Sequence, residues 1–392
     1  MPHVRGWPSG RPRILVTDAW LANAGDGAIA LATQDRLARL APGASIIHAA
    51  YQGDLLADWY PDLMLVPPLA GLVGVTPEIP EMREWDIPAG RSLVEGADIV
   101  LSQGGGFAME HYDPWERIRA WELVVDIGMP FGFGAQSVGR FERQRECGTL
   151  RRVYGAAEVI AVRDMSSLAN VIDLGAPARR VLVTADEVLS MAPPTSAPAR
   201  RTGIACVLTR HPQQREDRSW APPASPRELG RLVSELLRSV PGEHVTLLST
   251  QQGLGHLGRG LEDDADLAAD VFAAMPRADA ARVRVVDGYL PPDEFGETVA
   301  THRGLVSMRM HAAIIALTGG VPTVLLNESF KVTAMFAMLG LEEVLSSPGS
   351  ISWTQRAAPD LSVARERAAS NDEVVRRLLA ATPQAVSAGV AG

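Results

Sequence analysis

Cysteine is almost missing from this chain: Cys147 and Cys206 stand far apart and outside any Cys-x-x-Cys or His-paired spacing. That argues against a disulfide framework and a zinc site, and both thiols are expected to be plain buried side chains. The eight histidines include no His-x-x-x-His pair, so no metal is expected. No apolar run approaches the roughly 20 residues that a bilayer crossing needs. An excess of positive charge is absent too. Against 46 acidic residues stand 37 basic ones, a formal charge of -9, which argues against whole-surface affinity for nucleic acid or anionic lipid. An anionic ligand must then be gripped by a few placed cations. The opening stretch, MPHVRGWPSGRPR, has no apolar h-region, so it reads as a frayed arm, and cytoplasmic residence is the expectation.

What is present is the composition of a globular protein, 46% hydrophobic and 21% charged. A length of 392 residues predicts two domains, each able to bury a full core. Apolar runs at 12–17, 44–51, 97–106, 130–138, 159–164 and 179–186 alternate with helical patterns, as a parallel sheet covered on both faces requires. The stretch 191–202, MAPPTSAPARRT, concentrates proline and small polar residues and marks a linker. The alternation then resumes, with apolar runs at 203–209, 244–250, 304–308 and 321–326. The expected fold is α/β, two Rossmann-like doubly wound domains: residues 1–192, a linker at 193–202, residues 203–350, and a surface-packed helical tail at 351–392. Residues 210–226, charged and proline-rich without a period, are expected to form an exposed loop. In such folds ligands bind beyond the carboxyl ends of the strands, where helix N-termini point.

Motifs directly after strands therefore carry most weight. In NAGDGAIA (23–30), Gly25, Gly27 and Ala30 satisfy G-x-G-x-x-A, but the turn is long and no acid ends the second strand, so a dinucleotide cofactor is weakly supported. Either Asp26 caps the next helix while the glycines allow close approach, or Asn23, Gly25 and Asp26 line a ligand site. Gly104, Gly105 and Gly106 follow another strand, as a flexible turn or as a nest of backbone N–H groups for an anion or sugar. Glu110 lies just beyond as an acceptor for a hydroxyl, and Gln136 and Ser137 stand at a further strand end. Arg163 ends the strand after that, either paired with Asp164 or Asp186 or ready for an anion. In GLVSMRMHAA, an extended backbone would put Ser307, Arg309 and His311 on one side and Met308 and Met310 on the other. A guanidinium and an imidazole at a helix entrance suit an anion; a core histidine with a solvent-paired arginine is the alternative. Lys331, at the mouth of the next helix, adds a third cation.

Taken in order, the segments Asn23 to Asp26, Gly104 to Gly106, Gly134 to Gly139, Arg163 to Ser166, Ser307 to His311, and Gly320 to Lys331 resemble the polysaccharide pyruvyl transferase family, over roughly residues 13–345. The resemblance implies a GT-B-like architecture, two Rossmann-like domains facing across a cleft. It implies transfer of the pyruvyl unit of phosphoenolpyruvate to a glycan or glycoside as a ketal, with the donor as a substrate and no cofactor. Arg163 and Arg309 would hold phosphate and carboxylate, His311 would act as acid/base, and Lys331 would assist the phosphate. Arginine's fork matches both anions, and histidine is the side chain best suited to give and take protons near neutrality. A homo-oligomer is compatible with this, whereas nucleic acid and stable membrane insertion are not expected. Arg140, Glu187 and Glu328 stand where the family commonly has proline, proline and tyrosine, which implies a different acceptor or donor. A GT-B glycosyltransferase using a nucleotide sugar, or a non-catalytic or repurposed ligand-binding member in a small-molecule pathway, are the alternatives.

Overall fold

A computed structural model describes residues 4–195, 200–210, 213–214, 220–221, 224–253, 263–327, 329–346, 353 and 357–382. Its contacts divide the chain into two units, Met1–Leu21 with Ile29–Ser190 and Arg365–Gly392, and Ala22–Ala28 with Met191–Ala364. The first seven residues of the second unit therefore come from the turn after the first strand.

The first unit carries strands β1 (Arg13–Trp20), β2 (Ser45–Tyr51), β3 (Leu65–Val66), β4 (Ile99–Ser102), β5 (Gly105–Ala108), β6 (Phe131–Val138), β7 (Val159–Val162) and β8 (Val181–Val183). They form one parallel sheet in the order β3-β2-β1-β4-β6-β7-β8, with β5 paired to β6. The order reverses at β1, the hallmark of a doubly wound sheet. Its helices are α1 (Ala24–Leu40), α2 (Gly53–Leu56), α3 (Leu69–Leu72), α4 (Ile87–Glu95), α5 (Trp115–Ile127), α6 (Gln144–Ala156) and α7 (Met165–Asp173), the first turn of α1 counting with the second unit. Side chains alternate across the sheet as the two-residue period demands. Leu15, Val100, Ile160 and Val162 enter one core with helices α3 to α7, while Ile14, Val16, Ile99, Leu101, Val159 and Ala161 enter a second core on the other face.

The second unit holds β9 (Ile204–Val207), a short ribbon of β10 (Gln213–Gln214) and β11 (Trp220–Ala221), then β12 (Val245–Leu247), β13 (Val283–Val285), β14 (Gly304–Ser307), β15 (Thr323–Leu326) and β16 (Leu345–Ser346). Apart from the ribbon these make a six-stranded parallel sheet, β13-β12-β9-β14-β15-β16. Helices α8 (Pro226–Ser239), α9 (Asp264–Ala274), α10 (Arg277–Ala280), α11 (Pro292–Ala300), α12 (Met310–Thr318) and α13 (Phe330–Met338) alternate with the strands. Ser225 and Glu228 close a capping box on α8, whose Leu229, Val233, Leu236 and Leu237 are buried against the strands.

The tail expected at 351–392 carries the C-terminal helices α14 (Ser362–Ala369) and α15 (Asn371–Ala380), each with buried apolar and exposed charged positions. Val374, Val375 and Leu378 of α15 are buried in the second-face core of the first unit, and Asn371 donates to the Ala185 carbonyl. The ribbon lies inside the segment expected to be loop; residues 211–212, 215–219 and 222–223 lie outside the described residues. Among the described residues no helix is long and apolar enough to cross a membrane.

Candidate functional site

At the carboxyl end of the second sheet, β14 stops at Ser307 and α12 begins at Met310. The extended run to His311 expected from sequence is therefore replaced by a tight strand-to-helix turn. Ser307 builds it: its buried hydroxyl donates to the Arg309 carbonyl at 2.7 Å and accepts the Arg309 N–H at 3.0 Å. The hydroxyl is thus spent on main chain, which sets where Arg309 points. Apart from His311 and Thr318 helix α12 is apolar, and His311, in its first turn, is its only residue that is not buried. A polar side chain so placed is brought to the surface by the helix start, not by amphipathic patterning.

His311 packs against the turn after β1. A Cβ on Gly25 would lie 2.2 Å from its Nδ1 and 2.5 Å from its Cβ, so only glycine leaves room for the imidazole there. Asn23 holds that turn in place. Its Oδ1 caps α1 by accepting the Gly25 N–H at 2.8 Å, its Nδ2 donates to Gln251 at 3.0 Å, and the Ala24 N–H donates to the Thr250 carbonyl at 2.8 Å. The cap is Asn23, not Asp26, which sits within the first turn of α1. The turn after β1 and the turn after β14, nearly 300 residues apart in sequence, thus meet in one unit.

Arg309 is forked onto Asp264, with Nε to Oδ2 at 2.8 Å and Nη2 to Oδ1 at 2.6 Å. Asp264 is buried at the start of α9 and also accepts from the Thr250 N–H and hydroxyl. The pair fixes the guanidinium and leaves Nη1 as its remaining donor edge. Next to it, Asn327 donates to the Met308 carbonyl at 3.2 Å and accepts the Ser329 N–H at 2.9 Å, joining the turn after β14 to the turn after β15. Lys331 lies half-buried in the first turn of α13. Among the described residues neither α12 nor α13 has a side-chain cap, and the Ser329 hydroxyl beside α13 is buried with no hydrogen-bond partner. Two uncapped helix N-termini with Arg309, His311 and Lys331 in the adjoining turns make an edge fitted for an anion. Lys331 also carries a signal that position alone does not give: it is the only lysine in the chain.

The residues singled out in the first unit take other roles. Arg163 is 1% exposed, ion-paired with the fully buried Asp186, and its Nε donates to Ser137 at 2.9 Å. Ser137 in turn donates to Asp164 at 3.0 Å, and Asp164 caps α7 through the Ser167 N–H. In this conformation Arg163 locks β6, β7 and α7 together and presents no surface to a ligand. Gly105 and Gly106 do not form a nest; they lie in β5, beside β6. Gly104 has no Cβ because one would come within 2.7 Å of the Ala135 carbonyl oxygen. Glu110 accepts the Glu142 and Arg143 N–H groups at 3.0 and 2.8 Å and anchors that loop. Gln136 is buried and donates to Ser102 at 2.9 Å. Of the departures from the family pattern, Glu187 is buried against Arg36 and Asn371, and Glu328 lies outside the described residues. Cys206 is buried, its thiol pushed up to about 12 by burial, but Cys147 is only half-buried. Sequence reasoning missed Asp264 and Thr250, whose roles arise only once the start of α9 meets the turns after β12 and β14.

Two parallel α/β units define a GT-B-like protein. The chain belongs to the polysaccharide pyruvyl transferase family, whose sequence model matches residues 23–329. It is 24% identical over 266 residues to the amylovoran biosynthesis protein AmsJ of Erwinia amylovora, an alignment covering 65% of this chain and 62% of AmsJ. The chain thus spans less than two thirds of that curated relative's length. In fold it is similar to the UDP-GlcNAc 2-epimerase of Neisseria meningitidis, with a TM-score of 0.56, 10% identity and coverage of 94% of this chain and 99% of that one. It is also similar to Anabaena HepE solved with UDP and glucose, at a TM-score of 0.51, 14% identity and coverage of 94% and 98%.

Proposed function

We propose that the protein transfers the pyruvyl group of phosphoenolpyruvate to two hydroxyls of a glycan or glycoside. The reading is supported by family membership and, above all, by one observation: His311 seated on Gly25 in the first turn of α12, two residues after Arg309, with Lys331 in the first turn of α13 after the neighbouring strand. Phosphoenolpyruvate brings a carboxylate and a phosphate, which the helix N-termini, the free edge of Arg309 and Lys331 offset. The acceptor hydroxyl adds to C2 of the enol, the methylene carbon gains a proton and becomes methyl, and phosphate leaves as the second hydroxyl closes the ketal. His311 supplies or removes one of those protons. The donor is a substrate, and the chemistry calls on no cofactor. Arg163, as placed, acts on the strand ends and not on the donor.

His311→Ala tests the reading. Phosphate release with phosphoenolpyruvate and acceptor is expected to fall by at least about 100-fold while phosphoenolpyruvate affinity stays within about threefold. Unchanged release would remove His311 from the mechanism.

A further inference from the structure

Two ion pairs in this chain share one chemistry and differ in what they seal. Arg163 and Asp186 are both closed off, with 1% and 0% of their side chains exposed. In the pair of Arg309 with Asp264 the acid is as deeply buried, at 1%, while 13% of the arginine side chain stays exposed. Packing alone is served by sealing both partners; a ligand is served by an arginine held along one edge and accessible at another.

Asp264 is not needed by the helix it starts. The cap of α9 is the preceding residue, Asp263, whose Oδ1 accepts the Ala265 and Asp266 N–H groups at 2.8 and 3.3 Å. Asp264 bonds instead to the turn after β12: its N–H donates to the Gln251 carbonyl at 3.0 Å, and its Oδ2 accepts the Thr250 N–H and hydroxyl, each at 3.2 Å. With Nε and Nη2 of Arg309 that makes four donors, which fill the lone-pair sites of a carboxylate and fix its position. The fork engages two of the guanidinium N–H groups and thereby aims the others. The same short turn supports the imidazole. The Thr250 carbonyl accepts the Ala24 N–H, and Gln251 pairs with Asn23, so both residues before Gly25, the seat of His311, are tied to it.

We propose that Asp264, held by Thr250, is a positioning residue for Arg309, and that the turn at Thr250 and Gln251 is the common support that keeps guanidinium and imidazole in register. The inference rests on the reading of that edge as the phosphoenolpyruvate site. Its test separates affinity from turnover. By titration calorimetry, phosphoenolpyruvate should bind Asp264→Asn at least about tenfold more weakly than wild type and Thr250→Val about threefold more weakly. Arg309→Met should itself be weakened at least about tenfold, and adding Asp264→Asn to it should cost nothing further, because Asp264 acts only through that side chain. On the imidazole side, Asn23→Ala should lower kcat for phosphate release at least about fivefold with phosphoenolpyruvate affinity within about threefold of wild type. Each variant is compared with wild type by circular dichroism, and Thr250→Val, which removes one hydroxyl, decides alone if Asp264→Asn does not fold. Wild-type affinity in the folded Asp264 and Thr250 variants, with Arg309→Met weakened, overturns the inference and leaves the donor assignment standing. Additive losses in the double variant, or wild-type turnover in Asn23→Ala, overturn it as well. Wild-type affinity in Arg309→Met overturns the donor assignment and the inference with it.

Discussion

A methyl group at position 25 would sit 2.2 Å from the His311 Nδ1, so Gly25→Ala must push the imidazole out of place. The variant is expected to lose about as much turnover as His311→Ala, at a stability cost of about 1–3 kcal/mol for overpacking. Steady-state phosphate release and a urea melt measure the two, and full activity in Gly25→Ala would show that the ring need not rest there. His48 gives a pH prediction of known sign. It is fully buried in β2, with Nε2 3.0 Å from Gln34, and burial lowers its pKa to about 3. The unfolded chain binds a proton on His48 where the folded chain does not, so this stability is complete above about pH 6.5 and drains away as pH falls. Between pH 7 and pH 5 the loss is about 2 kcal/mol. His48→Gln should show a correspondingly smaller drop in urea midpoint over that range. An equal drop in both proteins would mean that His48 is protonated in the fold.

Strands, turns and one ion pair decide the element scale. Replacing Arg163 by Met leaves Asp186 buried without its counter-charge, a loss of about 3–5 kcal/mol. Arg163→Met with Asp186→Asn should recover part of that loss in a urea melt. Unchanged stability in the single variant, with only a raised KM for phosphoenolpyruvate, would return Arg163 to the donor site. Most strands were legible because their apolar runs are continuous, and the parallel layout followed from their alternation with helices. The turns were less legible. GLVSMRMHAA fits an extended or a helical backbone at Met310 and His311, and the Ser307 hydroxyl settles it by bonding the Arg309 main chain, a contact with no sequence period. Gly104 to Gly106 read as a turn because three glycines disfavour a strand, yet at Gly105 and Gly106 pairing of β5 with β6 outweighs that preference. The candidate site was legible as residue types and order. Its partners Asp264 and Thr250 were not, since they depend on which strands adjoin.

At the scale of the whole molecule, the chain returns to its first unit at its end. Val374, Val375 and Leu378 each contribute about 1.5–3 kcal/mol by burial, a sum comparable with a typical domain's net stability. A chain ending at residue 364 is therefore expected to show no cooperative unfolding transition by circular dichroism; a transition like that of the full chain would make α15 dispensable. The edge formed by the first turns of α12 and α13 is proposed to take phosphoenolpyruvate. Because Lys331 is the only lysine, an amine-selective reagent followed by peptide mapping reports on that edge alone, apart from the terminal amine. Phosphoenolpyruvate at saturating concentration should slow modification of Lys331 at least tenfold, while UDP at the same concentration should leave it unchanged. Protection by UDP and none by phosphoenolpyruvate would contradict the account.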